Sequence, residues 1–190
     1  MIGCLLTSEN IPIRIEASNP SREIAAGLLG GSGERGGAMA PPGMREVTTE
    51  LPVSTDKAWS VLADPTTYPR WLVGAVEILS VDDDWPEPGT KFHHRVGLGG
   101  PITTQDSTSV QEVDPPRLLI LEARARPFGR AHVEIEIRPR GDGCEVAMRE
   151  GMMAPLTRLT PLAQPLITAR NKESLRRVSE LPELGGAGSE

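Results

Sequence analysis

The sequence predicts an α+β domain: seven antiparallel strands in a curved sheet, wrapped around a long C-terminal helix. Three observations carry that expectation. A strand-like segment near residue 45 is followed by two short helical patterns. Six alternating segments come next, separated only by tight turn signals, so consecutive strands pair as hairpins. The chain then runs from about residue 154 to 181 in a helical pattern rich in good helix formers. A sheet with one apolar face must cover it, and only this last run is long enough to do so.

The elements follow in order. "REVTTELPV" (45–53) alternates Val47, Thr49 and Leu51 against Glu46, Thr48 and Glu50, the period of a half-buried strand. "STDKAWSVLAD" (54–64) opens with Ser54 and Thr55 as N-cap candidates and carries Asp56 in its first turn. Ala58, Trp59, Val61 and Leu62 form its apolar face. Pro65 ends it, and "PTTYPRWLVG" (65–74) spaces Tyr68, Trp71 and Leu72 at i, i+3, i+4 for a second short helix. The six later strands are expected at 75–81, 91–98, 104–113, 117–125, 131–139 and 144–151. "DDDWPEPG", "GGP", "DPP", "RPFGR" and "RGDG" break them with the residues that tight turns need. Pro155, Pro161 and Pro165 leave the last element as one helix or a kinked pair.

Composition bounds the rest. At 190 residues the chain fits one domain with a real core. Gly 20 and Pro 18 are high, and "GLLGGSGERGGAMAPPG" (27–43) concentrates them. Residues 1–43 are therefore expected to be a disordered segment, or a misplaced start ahead of Met39 or Met44. The domain is expected over 44–182, with 183–190 as a disordered tail. The net charge of −6 repels phosphate backbones, so nucleic acid is not an expected partner. Cys4 and Cys144 form no metal-type pair and no disulfide framework. No apolar run approaches the roughly 20 residues of a membrane-spanning helix, and "MIGCLL" lacks the basic flank of a signal peptide. A cytoplasmic protein is expected, of undetermined oligomeric state.

Alternation also orients the strands. An unpaired charge cannot sit in a core, so Leu119, Leu121 and Ala123 face inward while Glu122 and Arg124 face out. Ala131, Val133, Ile135 and Ile137 share the inward parity of the next strand. After the "RGDG" turn it passes to Cys144, Val146, Met148 and Glu150. In "KFHHRVGLGG" (91–100), Phe92 and Val96 share a parity with His94, whereas Lys91 and Arg95 share one with His93. His94 is thus the inward histidine and His93 the outward one. Adjacent strand residues leave opposite faces, so the pair cannot hold one ion, and no metal site is expected. A hairpin centred near Gly100 sets His94 opposite Asp106 and Phe92 opposite Thr108. On the terminal helix, Ile167, Asn171, Leu175 and Val178 form one stripe. Arg170, Lys172, Arg176 and Arg177 read as a solvated basic face. His94, Asp106, Glu150 and Asn171 are the candidate polar set of the interior.

These segments also resemble a known family. "VSTDKAWSVLADPTTYPRWLVG", "VDPPRLLILEARA", "RGDGCEVAMRE" and "RNKESLRRVSEL" are similar to the START and birch-pollen-allergen-like (SRPBCC) superfamily. Their nearer likeness is to its polyketide cyclase/dehydrase and lipid-transport branch, over residues 45 to about 182. The resemblance implies a helix-grip fold and a cavity for a lipid, polyketide or aromatic molecule. The expected lining is Trp71, Phe92, His94, Asp106, Thr108, Leu121, Val133, Ile135, Met148, Glu150 and Asn171. No cofactor is expected. Three functions stay open: a hydrophobic-ligand binder, a cyclase or dehydratase, and a protein-interaction domain. In the second, His94, oriented by Asp106, is the general base, and Glu150 or Asn171 holds the developing enolate.

Overall fold

The computed structural model describes residues 41–97, 103–124 and 129–185. The expected N-terminal segment up to residue 40 lies outside the described residues, as do residues 98–102, 125–128 and 186–190. Strand β1 (Glu46–Leu51) leads into helix α1 (Thr55–Leu62), whose Ser54 side chain accepts from Lys57 N at 3.3 Å as the N-cap. A 3-10 turn (Pro65–Thr67) and a one-turn helix α2 (Tyr68–Trp71) follow. Six strands come next: β2 (Ala75–Val81), β3 (Lys91–Gly97), β4 (Thr103–Asp114), β5 (Leu118–Arg124), β6 (Arg130–Arg140) and β7 (Gly143–Met152). Helix α3 (Thr160–Ser179) closes the chain after a second 3-10 turn (Thr157–Leu159).

The seven strands form one antiparallel sheet in the order β1-β7-β6-β5-β4-β3-β2. All neighbours except β1 and β7 are consecutive in sequence, which is what short hairpin connections enforce. Pro161 sits in the first turn of α3, where its missing N–H costs nothing, and Pro165 lies within the helix. The element runs from 160 to 179 without a second helix. Its buried side chains Thr160, Gln164, Asn171, Ser174, Leu175 and Val178 recur at helical spacing. They face β1 and β7.

Two strands depart from strict alternation. On β2 the pairs Ala75–Val96, Ile78–His94 and Val81–Phe92 are spaced by three residues, because bulges fall between Ala75 and Glu77 and between Ile78 and Ser80. Each bulge adds one residue, so Ala75, Ile78 and Val81 all reach the core while Val76 and Leu79 are exposed. On β4 a bulge between Val110 and Glu112 moves the inward parity from Val110 to Val113, which pairs with Leu119.

The core joins the inner sheet face to α1, α2 and α3 through Leu62, Tyr68, Trp71, Phe92, Leu119, Ile137, Met148 and Val178. Two of its aromatic side chains find partners inside the domain: Tyr68 Oη donates to Leu62 O at 3.0 Å, and Trp71 Nε1 to Thr67 Oγ1 at 3.0 Å. The outer face of β1, β7 and β6 is charged: Arg138 reaches Glu46, Glu136 and Glu145, and Arg149 reaches Glu46 and Glu134. Both ends of the domain pack closely. The Gln164 amide, oriented to satisfy its neighbours, donates to Gly43 O at 3.1 Å and accepts from Arg45 N at 3.3 Å. Beyond α3, Leu181 and Leu184 are buried in the core.

Candidate functional site

Between the inner sheet face and the α2–β2 segment lies a cavity of about 110 Å³. Phe92 and Val96 of β3, Leu121 and Ala123 of β5, Ala131, Val133 and Ile135 of β6 and Met148 of β7 supply most of its wall. Tyr68, Trp71 and the turn from Leu72 to Ala75 form another side. That turn is tied to the terminal helix, since Val73 N donates to Ser174 Oγ at 3.1 Å. Gly74 adopts a φ of +99° there, a backbone conformation that other residues reach only with strain.

Aromatic rings pack along the β3 side. Tyr68 meets Trp71 and Phe92 edge-on at centroid distances of 5.0 and 5.3 Å, and Phe92 lies 5.0 Å from the His94 ring. Such contacts hold the rings in fixed orientations rather than leaving them to fill space loosely.

A histidine and a glutamate, both buried, interrupt the apolar wall, with Thr108, Arg124 and Arg170 also on its described lining. The first is His94, buried at 7% exposure, with Nε2 3.1 Å from Thr108 Oγ1. Its Nδ1 is buried without a hydrogen-bond partner. Burial pushes the imidazole pKa down; the Asp106 carboxylate opposes that shift, and His93 adds slightly to it. The net shift is downward, so His94 is a neutral imidazole at pH 7. The second is Glu150, buried at the β7 end of the wall and ion-paired with Arg170 of α3. Arg170 lies across the cavity boundary with its side chain 37% exposed.

The ladder sets His94 opposite Asp106 and Phe92 opposite Thr108, as the alternation requires. The side chains arrange themselves differently from the simplest expectation. His94 takes Thr108, the diagonal neighbour, while Asp106 Oδ1 accepts from Ser107 N at 3.1 Å. Asp106 influences the imidazole through its charge. Trp71, Phe92, His94, Thr108, Leu121, Val133, Ile135, Met148 and Glu150 all line the cavity. Asp106 and Asn171 are buried but stand outside its lining. Asn171 keeps its Oδ1 3.5 Å from Arg170 Nη2. His93 is exposed on the opposite face, over a shallow polar recess with Ser107 and Arg124. No group of three His, Cys, Asp or Glu side chains among the described residues is placed to hold a metal ion.

Arg170 is the residue that the reading of the helix face misplaced. The sequence pattern sets it with Lys172, Arg176 and Arg177 on a solvated face, whereas its guanidinium turns to Glu150. The signal was an inward carboxylate on β7: a buried Glu needs a cation, and the covering helix offers one at Arg170. Arg176 does remain on the surface, paired with Glu173 and Glu180.

Comparison with known proteins agrees with this architecture. The chain is similar to a protein of Nitrosomonas europaea at 19% identity and a TM-score of 0.58, covering 73% of this chain and 92% of that one. It is similar to the di-domain ARO/CYC StfQ from the steffimycin biosynthetic pathway at 10% identity and a TM-score of 0.57. That match covers 74% of this chain and 50% of the other. The solved structure of Ara h 8.0201 gives a TM-score of 0.54 at 11% identity, over 72% of this chain and 95% of that one. At these identities the shared property is the fold. No curated protein matches the chain. No helix among the described residues is long and apolar enough to cross a membrane. Residues 44–182 match the family described as polyketide cyclase/dehydrase and lipid transport, so the helix-grip domain found here makes the chain a member of that SRPBCC family.

Proposed function

We propose that the chain binds a hydrophobic small molecule, of lipid, polyketide or aromatic type, in the cavity beneath the sheet. The observation that carries this reading is the composition of the wall: mostly aromatic and aliphatic side chains, with His94, Thr108, Arg124, Glu150 and Arg170 as polar groups of its described lining. A largely apolar cavity of this kind is the form that a site for such molecules takes. Its volume of about 110 Å³ suits a single ring or the end of a chain. Cavities lined by aliphatic side chains at about 150 Å³ stay dry and take up benzene. Larger guests require the Leu72–Ala75 turn or the Arg170 side chain to shift.

A fluorescent apolar probe such as 1-aminoanthracene is expected to bind at one per chain. Leu121→Trp and Val133→Trp place an indole where the guest would lie, and each is expected to abolish that binding while leaving the fold intact. If both folded variants take up the probe like the parent, the cavity is not the binding site.

A second reading, catalysis, is favoured by the state of His94. A neutral imidazole in an apolar cavity is a competent proton acceptor. With Nε2–H donating to Thr108, the lone pair of Nδ1 is left for a proton next to a ligand carbonyl. The similar ARO/CYC StfQ carries an aromatase/cyclase name, which is said of that protein. Turnover of an enolisable aromatic ketone, followed by solvent deuterium exchange and lost in His94→Gln, distinguishes this reading from binding alone.

A further inference from the structure

We infer that the cavity selects hydrophobic molecules bearing an anionic oxygen, and that Arg170 is the group that reads it. The inference rests on the cavity being the binding site. It begins with an incomplete set of hydrogen bonds. Arg170 engages Glu150 through Nη2, yet its Nε–H is buried and has no acceptor. A guanidinium presents Nε–H and an Nη–H side by side as a fork that matches two carboxylate oxygens. Here Glu150 uses the Nη2 half of the group only.

The neighbouring residue repeats the pattern. Asn171 is fully buried, its Oδ1 lies on the Arg170 side, and its Nδ2 has no acceptor. Of the two only Arg170 lines the cavity, so the unmet hydrogen bond that a guest could meet on this stretch of α3 is that of a donor. A carboxylate, enolate or phenolate oxygen only accepts, so it complements that deficit. A ligand ammonium would add a donor beside a guanidinium. Charge points the same way. Among the described lining residues Glu150 is the one carboxylate, and Arg170 already meets it with a cation of its own, so the described wall sets no unpaired negative charge against an incoming anion. His94 is neutral and contributes no competing charge at the β3 side.

Glu150 holds Arg170 in place while the cavity is empty and competes with an incoming anion for it. That competition makes a sign prediction which a purely structural ion pair does not. The probes are 2-naphthoate and 2-naphthamide, which share one aromatic body and differ in the charge of the head group. Their affinities are measured by titration calorimetry at neutral pH with the full chain. The parent protein is expected to bind the naphthoate about tenfold more tightly than the amide, a charge-assisted contact against a neutral one. Glu150→Gln frees the guanidinium, so it is expected to strengthen naphthoate binding several-fold and to widen the naphthoate-to-naphthamide affinity ratio by a similar factor. Arg170→Gln is expected to bring the two affinities within about twofold of each other. Should that variant fail to fold because Glu150 is left buried without a cation, the Glu150→Gln/Arg170→Gln pair is neutral on both sides and is read instead.

Equal affinities in the parent, or a naphthoate preference that survives loss of Arg170, overturn the anion assignment and leave the cavity as the binding site. Weaker naphthoate binding in Glu150→Gln overturns it as well, because Glu150 would then be part of the recognition. Binding of neither probe overturns both the assignment and the cavity reading on which it rests.

Discussion

His94 and Thr108 are diagonal neighbours across the β3–β4 ladder, and the imidazole Nε2 sits 3.1 Å from the threonine hydroxyl. The residue directly opposite His94 is Asp106, which accepts the amide of Ser107. The histidine therefore has a neutral first partner and a charged second one, and burial keeps it uncharged.

The two adjacent histidines are expected to respond to mutation very differently. His93 is exposed, so His93→Ala is expected to change stability by no more than about 0.5 kcal/mol. His94→Ala removes a buried ring that packs on Phe92 and leaves the Thr108 hydroxyl without it. A cost of about 1–3 kcal/mol is expected, together with weaker probe binding. Denaturant midpoints of the two variants check this, and equal effects would contradict the assigned facing of β3.

The pH dependence follows from the sign of the His94 shift. Its folded pKa lies below the ordinary value of 6.5, so between those two values the unfolded chain binds more protons than the folded one. Stability from this group is thus fully present above about pH 6.5 and falls as the pH drops towards the folded pKa. His94→Gln removes that dependence. The stability gap between parent and His94→Gln is expected to move in the variant's favour from pH 7.5 to pH 5, measured by urea denaturation at each pH. A gap that stays constant would mean that the imidazole is not held neutral by burial.

Gly143, the first residue of β7, lies against the end of β1. A Cβ built on it would stand 2.2 Å from Leu51 O, a backbone atom that cannot yield without moving the strand. Gly143→Ala is expected to cost about 1–3 kcal/mol, as overpacked sites do. Hydrogen exchange is expected to quicken first at Leu51 and Cys144, which pair at that end of the ladder. Protection unchanged at those amides would show that the strands part elsewhere.

Much of the fold was legible because strands β6 and β7, and β5 from Leu121 onward, alternate charged and apolar residues over most of their length. Wherever Glu122, Glu134 or Glu145 pointed, the intervening Leu121, Val133 and Val146 had to point the other way. Strand β2 was not legible in this way. "AVEILSV" carries five apolar residues in seven, and only the two bulges decide that Ala75, Ile78 and Val81 are the inner set. The β4 bulge at Gln111 is silent in sequence for the same reason: Val110 and Val113 are both plausible core residues until the ladder pairs them with Leu121 and Leu119.

At the site, backbone register could be read and side-chain choice could not. The opposition of His94 and Asp106 follows from counting residues around a turn. Whether the imidazole takes Asp106 or Thr108 depends on rotamers and on what else packs against each group. Arg170 escaped because helical periodicity assigns a face to a Cα, while a side chain as long as arginine reaches across to the neighbouring face. Asn171 shows the converse: its position on the buried stripe was legible, but burial alone does not bring a side chain to the cavity.

The bulges of β2 have a further bearing on how copies of this protein behave beside one another. Strand β2 ends the sheet, and an end strand offers its outward N–H and C=O groups to any second strand that can match their spacing. Its exposed Val76 and Leu79 would make such pairing attractive. The irregular points between Ala75 and Glu77 and between Ile78 and Ser80 leave no more than two consecutive residues in regular spacing, Glu77–Ile78 and Ser80–Val81. A foreign strand aligned on one pair is out of step at the next. The distortion that turns three apolar residues into the core thereby also makes the β2 edge a poor template for a further strand.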